Sequence, residues 1–176
     1  MFEKGYGPTG IKEITDQVDI PKGSFYNHFD SKEEFGLKVL EAYVDNGTRR
    51  YEKALLETEG KPLDRLKKMF ENITEEFRGV LEFRYGCLMG NFSAELADIN
   101  DKFQSKLESG FLDQQGVIVK VLKEAKEDGE LEASWDAELL GSFIINSWHG
   151  AMLRMKASGD DKPLKDFQKV VFDRLI

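Results

Sequence analysis

Apolar residues recur at intervals of three and four along nearly the whole chain, and alternation of apolar with polar residues over strand lengths is rare, so the pattern predicts an all-α fold. A short helix is expected over about 10–18 with Thr9 as its N-cap, and a second over about 21–29 that opens with Pro21; only Asp19 and Ile20 separate them. Ser31-Lys32-Glu33-Glu34 has the form of a capping box and starts a long helix carrying Phe35, Val39, Tyr43 and Val44 to about Glu57. Gly60-Lys61-Pro62 breaks the chain, after which Leu63, Leu66, Phe70, Ile73, Phe77 and Leu81 form the stripe of another helix. The pattern pauses at 86–90, resumes to about Ala97, and continues through Phe103, Leu107, Phe111, Ile118, Leu122 and Ala125 to Gly129. A further helix follows Trp135-Asp136 as far as about Ser158, and Leu164, Phe167, Val170, Val171 and Leu175 give the last helix one apolar face. Residues 1–50 form one expected domain and 51–176 the second, joined by the long helix.

Composition narrows the class. The 176 residues are 40% hydrophobic and 11% aromatic, enough for a real core. A net charge of -8 argues against broad attraction to nucleic acid or anionic lipid, so any DNA contact must be local. Cys87 is the single cysteine, which excludes an internal disulfide framework. No secretory leader is expected, and the richest apolar run, 139–153, is interrupted by Ser142, Asn146, Ser147 and His149 and falls short of a membrane span. A cytoplasmic protein without membrane contact is the expectation. No metal-ligand spacing or phosphate loop occurs, so neither metal nor cofactor is expected, and an enzyme using Cys87 with His28 or His149 has nothing further to support it.

Two short helices joined by a tight turn match a helix-turn-helix, whose second helix enters the major groove of DNA. Its expected apolar set is Ile11, Ile14, Val18, Ile20, Phe25 and Phe29, with Lys22 and Ser24 facing out at the start of the second helix and Tyr26, Asn27 and His28 lying between the two phenylalanines. A merely solvated polar face would have the same spacing, and Tyr26 and His28 could pack partly on the long helix.

Residues 2–9, Ile11-Lys12-Glu13-Ile14 and the run Pro21-Lys22-Gly23-Ser24-Phe25-Tyr26-Asn27-His28-Phe29-Asp30-Ser31-Lys32-Glu33-Glu34 resemble the N-terminal domain of the tetracycline-repressor family. The resemblance implies a dimeric one-component regulator, usually a repressor, that binds a near-palindromic operator in double-stranded DNA. It puts Lys22, Ser24, Tyr26, Asn27 and His28 on the recognition helix, Lys32 on a phosphate and Thr9 near the DNA backbone. Asp19 stands at the turn where the family usually has glycine; aspartate tolerates a left-handed backbone better than most residues. The family's first helix normally precedes the opening segment, and most of it is absent here, which weakens the expected support of Ile14, Phe25 and Phe29. A small-molecule-binding helical dimer without DNA-binding competence is therefore the alternative.

In the second half, Phe70, Ile73, Phe77, Tyr85, Met89, Phe92, Phe111, Trp148 and Met152 are candidates for a mostly apolar ligand pocket, with ordinary core as the competing reading. Cys87 lies at a glycine-flanked bend where helix N–H groups and Arg84 would favour a thiolate, against the alternative of a small buried hydrophobe. Gly86-Cys87-Leu88-Met89-Gly90-Asn91, followed by Ala94-Glu95-Leu96 and Asp98, is similar to a sensor-domain subgroup of the same family that includes regulators responding to electrophiles, reactive chlorine and unsaturated small acids, which implies a small-molecule or electrophile effector and a sensing role for Cys87. Family members dimerise through their last two helices, and here Leu140, Phe143, Ile144, Ser147, Ala151, Phe167 and Val171 are the expected homodimer interface. Effector binding or Cys87 modification would shift the helix near Leu63 and, through the long helix, spoil the spacing of the recognition helices. About 3 kcal/mol between the two states would weaken DNA binding roughly 150-fold.

Overall fold

The computed structural model describes residues 1–79, 81–83 and 85–176. Among them there is no strand, and the helices are α1 Ile11–Gln17, α2 Lys22–Tyr26, α3 Lys32–Leu55, α4 Pro62–Gly79, α5 Leu88–Leu96, α6 Asp101–Glu127, α7 Ala137–Ser158 and α8 Lys162–Val170, closed by a π-helical turn at Val171–Leu175. The periodicity thus located each helix. Two local details differ. Thr9 is not the N-cap of α1; Gly10 is, while the Thr9 hydroxyl donates to the Gly5 carbonyl at 2.7 Å and is buried there. α2 ends at Tyr26 rather than Phe29, because the Asn27 and His28 amides close tight turns onto the Ser24 and Phe25 carbonyls at 3.3 and 3.1 Å.

Ser31 caps α3 as its sequence suggests. Its hydroxyl accepts from the Glu34 amide at 3.1 Å, and the Glu34 carboxylate reaches back to the Asp30 amide at 2.7 Å, one residue earlier than the usual box. Asp19 adopts φ +52, the left-handed turn expected of it.

α6 packs against α3 on one side and α7 on the other, α4 lies across α3, α6 and α8, and α8 folds back on α7. Phe70 of α4 anchors this bundle: its ring lies 4.7 Å from Trp148 and 5.1 Å from Phe167, and all three are buried. Each such side chain contributes about 1.5–3 kcal/mol by leaving water. α3 belongs to this core through Leu40, Val44, Tyr51 and Leu55.

The helix-turn-helix has a much smaller core. Phe25, Phe29 and Phe35 form an aromatic trio with centroids 5.0–5.4 Å apart, which turns α2 onto the start of α3. Val18 and Ile20, expected in the apolar set, stand exposed instead, because α2 directs its aromatic side toward α3 and not toward the turn. The whole unit docks on the bundle through Tyr6, whose ring packs edge-on against Phe92 and Phe103 at 5.8 and 5.3 Å. Gly36 permits this approach; a Cβ there would come within 2.6 Å of the Tyr6 ring.

The expected dimer face requires correction. Leu140, Ile144, Phe167 and Val171 are buried within the single chain, Ser147 and Ala151 are half-buried, and only Phe143 is exposed. α7 is apolar on both sides, and the side facing α6 and α8 is taken by the core. The outward stripe is Leu139, Phe143 and Leu153, with exposed Val170 on α8.

Candidate functional site

α2 presents its side chains to solvent. Lys22, Tyr26, Asn27 and His28 are exposed and Ser24 is half-buried, while Phe25 between them holds the helix in place. Polar groups on a short helix at the protein's tip can reach base edges and phosphates. Two other expected contacts face inward. Thr9 is buried, and the Lys32 ammonium donates to the Gly7 carbonyl at 3.0 Å and sits 4.3 Å above the Tyr6 ring, bracing the opening segment; as found, neither is free for a phosphate.

Behind this unit lies a cavity of about 530 Å³, lined from α3 by Tyr43, Asn46, Gly47, Arg50 and Tyr51, from α4 by Ile73, Glu76 and Phe77, and from α6 by Gln114. Trp148, His149 and Met152 of α7, the segment Leu81, Tyr85, Gly86 and Cys87, and Phe2 and Glu3 complete it. A volume of this size suits a small organic molecule. Of the expected lining, Ile73, Phe77, Tyr85, Trp148 and Met152 are there. Phe70, Met89 and Phe92 are fully buried core, and half-buried Phe111 packs edge-on against His149 without lining the cavity. The missed members had a signal: Tyr43, Gly47, Arg50 and Tyr51 fall on one side of α3, and Gln114 interrupts the apolar side of α6 one turn after Phe111.

Charge is balanced at the rim. The Arg50 guanidinium donates to both Glu76 oxygens at 2.7 Å, joining α3 to α4, and the Tyr85 hydroxyl donates to Glu3 at 3.0 Å. His149 is held down at about pKa 4 by burial, so it is neutral near pH 7, and neither ring nitrogen has a partner.

Cys87 forms the N-cap of α5 and is buried on the cavity wall. Burial pushes its thiol up, outweighing the Gly90 and Met89 amides and the Tyr43 hydroxyl, which donates to Sγ at 3.7 Å. Of the two readings of Cys87, the buried thiol is favoured over the thiolate: helix N–H groups are present, but desolvation prevails. Arg84, the cation invoked beside it, lies outside the described residues.

From Cys87, α5 runs to the helix-turn-helix. Phe92 on it meets Tyr6, and the Glu95 carboxylate accepts from the Gly7 amide at 2.9 Å. The cavity wall and the segment leading into α1 are thus opposite ends of one nine-residue helix. Glu33 adds a tie from α3, accepting from Lys102 at 2.7 Å and Asn100 at 2.9 Å at the start of α6.

Among the described residues no helix is long and apolar enough to cross a membrane, and no cluster of three His, Cys, Asp or Glu side chains could hold a metal ion.

Comparison with known proteins agrees with this layout. Residues 1–37 match the family described as bacterial regulatory proteins, tetR family, and residues 62–171 match the tetracyclin repressor-like C-terminal domain. The HTH-type transcriptional repressor DhaR of Mycobacterium sp. strain GP1 is 37% identical over 100% of this chain and 86% of its own length, and the transcriptional regulator AcuR of Cereibacter sphaeroides is 36% identical over 96% and 77%. Among solved structures, regulatory protein TetR from Rhodobacter sphaeroides superposes with a TM-score of 0.90 at 34% identity, covering 96% of this chain and 89% of that one. The reduced form of Escherichia coli NemR does so with 0.87 at 27% identity, covering 98% and 89%. The chain belongs to the TetR family of helix-turn-helix, DNA-binding transcriptional regulators, which are not enzymes.

Proposed function

We propose that this protein is an effector-released repressor: a homodimer that grips a near-palindromic operator through α2 of each protomer and lets go when a small molecule enters the cavity. The observation that carries the reading is α5, whose first end is the cavity wall at Cys87 and whose far end holds the segment entering α1 through Glu95 and Phe92. An occupant that displaces Cys87 moves α5 and with it the recognition helix. Residues 1–50 act as the DNA-binding unit and 51–176 as the sensing and dimerising unit, with α3 shared between them.

Lys22, Ser24, Tyr26, Asn27 and His28 are the proposed DNA contacts. The proposed dimer face is the exposed stripe Leu139, Phe143, Leu153 and Val170, since an apolar row of this length on two neighbouring helices calls for a partner. Modification of Cys87 is a second route to release. It is favoured by the position of Sγ on the cavity wall, where a reagent that has entered reaches it, and by the relative NemR having been solved in a form described as reduced.

The test is binding of the 176-residue protein to DNA from upstream of its own gene, followed by fluorescence anisotropy, with and without a thiol oxidant, beside Cys87→Ser and a Tyr26→Ala/Asn27→Ala double variant. The double variant should lose at least about tenfold in affinity, because each good base contact is worth roughly 1–3 kcal/mol. Oxidant that weakens the parent but not Cys87→Ser supports the cysteine route; indifference to oxidant removes it and leaves the noncovalent effector. Undiminished binding by the double variant would refute α2 as the reading helix.

A further inference from the structure

The cavity read above as the effector site contains two polar side chains short of ordinary hydrogen-bond partners, one with none at its buried nitrogens and one with a single weak acceptor. His149 has both ring nitrogens out of reach of water and of any protein hydrogen-bonding group, and its ring meets Phe111 edge-on at 4.9 Å. Gln114, one turn beyond Phe111 on α6, is 5% exposed, and its amide nitrogen has only the Met89 thioether at 3.8 Å, a weak acceptor. The Gln114 amide is nonetheless held in place: a Cβ on Gly47 would come within 3.0 Å of its nitrogen, so α3 leaves room for this group and little more. Buried polar groups are ordinarily hydrogen-bonded, and an unpartnered imidazole in the same cavity wall as a weakly partnered carboxamide marks where a ligand supplies what the protein does not.

We propose that the effector is an uncharged, mostly apolar molecule whose carbonyl or hydroxyl oxygen hydrogen-bonds with His149 and Gln114. The inference rests on the cavity being the effector site. A neutral imidazole offers one N–H and one lone pair, and the carboxamide adds an N–H beside it, which together suit one ketone, ester or alcohol oxygen. An anion is disfavoured. His149 carries no charge near pH 7, Arg50 is occupied by Glu76, and the described lining otherwise adds the carboxylate of Glu3. A cation would find Glu76 already paired with Arg50 and Glu3 already accepting from Tyr85. The rest of the wall, from Phe77, Trp148, Met152 and Ile73, is apolar and provides the attraction for the body of the molecule.

Three six-membered-ring probes separate the possibilities: cyclohexanone, its isostere methylenecyclohexane, and cyclohexanecarboxylate. Each is titrated into the full chain at pH 7 and followed by tryptophan fluorescence, since Trp148 stands in the cavity wall. In the parent, cyclohexanecarboxylate should bind most weakly. In His149→Phe, which keeps the ring and removes both nitrogens, the affinity ratio of ketone to hydrocarbon should fall about tenfold, the worth of one buried hydrogen bond, while hydrocarbon binding is kept and the ligand-free protein melts higher. Gln114→Leu should lower the same ratio without that gain in melting temperature being required. A ratio unchanged in both variants, or a carboxylate that binds tightest, overturns the proposed ligand class, and hydrocarbon binding then still upholds the cavity. No response to any of the three overturns the effector cavity and this inference together.

Discussion

The tip of the molecule and its cavity treat polar side chains in opposite ways. On α2 and the turn that follows it, Lys22, Tyr26, Asn27 and His28 stand in water over a core of three phenylalanines, so each side-chain donor is satisfied by solvent and free to exchange it for DNA. In the cavity, the His149 ring nitrogens and Gln114 are out of water, over a core anchored by Phe70, Trp148 and Phe167. A binding surface for a large, charged partner tolerates a thin core because phosphate attraction does not require burial. A site for a small molecule draws its affinity from desolvation and therefore needs the thick one.

Phe103 tests how the two regions are joined. Its fully buried ring lies between Tyr6 at 5.3 Å and Phe92 at 5.7 Å, so Phe103→Ala should cost about 3–5 kcal/mol in urea denaturation and speed amide exchange in α1 more than in α7. Equal acceleration in both helices would mean the tip is not docked through this ring.

Acid should distinguish the cavity from the tip. His149 is depressed to about pKa 4 in the folded protein, below the usual value near 6.5, so folding favours its neutral form. That contribution is complete above about pH 6.5 and is lost as pH falls from there toward 4, on the order of 3 kcal/mol. His149→Phe has no such titration, so the stability gap between variant and parent should widen in the variant's favour from pH 7 to pH 4. A gap that stays constant would place His149 in water.

Smaller effects refine the cavity wall. The Tyr43 hydroxyl lowers the Cys87 pKa by donating to Sγ, although burial sets the overall direction. Tyr43→Phe should therefore raise the thiol further and slow alkylation by iodoacetamide a few-fold at pH 8, a displacement of the pH–rate profile to higher pH. A profile that moves to lower pH, or not at all, shows that the hydroxyl does not favour the thiolate. Smallest of all is Arg50→Ala, which removes an ion pair whose members are 58% and 49% exposed; less than about 1 kcal/mol should be lost in thermal melting, and less again in high salt. A larger loss would assign the Arg50–Glu76 pair a structural role at the rim.

Local chemistry made much of this legible in advance. Ser31 capping α3, the left-handed Asp19 and the break at Gly60-Lys61-Pro62 depend on neighbours a few residues away, and so do the helix periods. The dense run from Pro21 to Glu34 was enough to indicate the family, which the match over residues 1–37 bears out. The cavity was half legible. Aromatic residues pointed to its α4 and α7 walls, but Phe70 and Phe92 have the same character and belong to the core, and although Tyr43, Gly47 and Arg50 share one side of α3, the period does not tell a side that faces a void from one that faces the core.

By itself, then, the sequence determined the helices, their order and the helix-turn-helix, because caps, turns and amphipathic periods are properties of short segments. Only the tertiary structure decided which side of α7 is core and which is left outside, whether Cys87 rests as thiol or thiolate, and that His149 and Gln114 meet in one cavity. Each of those depends on burial, and burial is set by which distant segments arrive on either side of a residue, as α3, α6 and α7 do around this cavity.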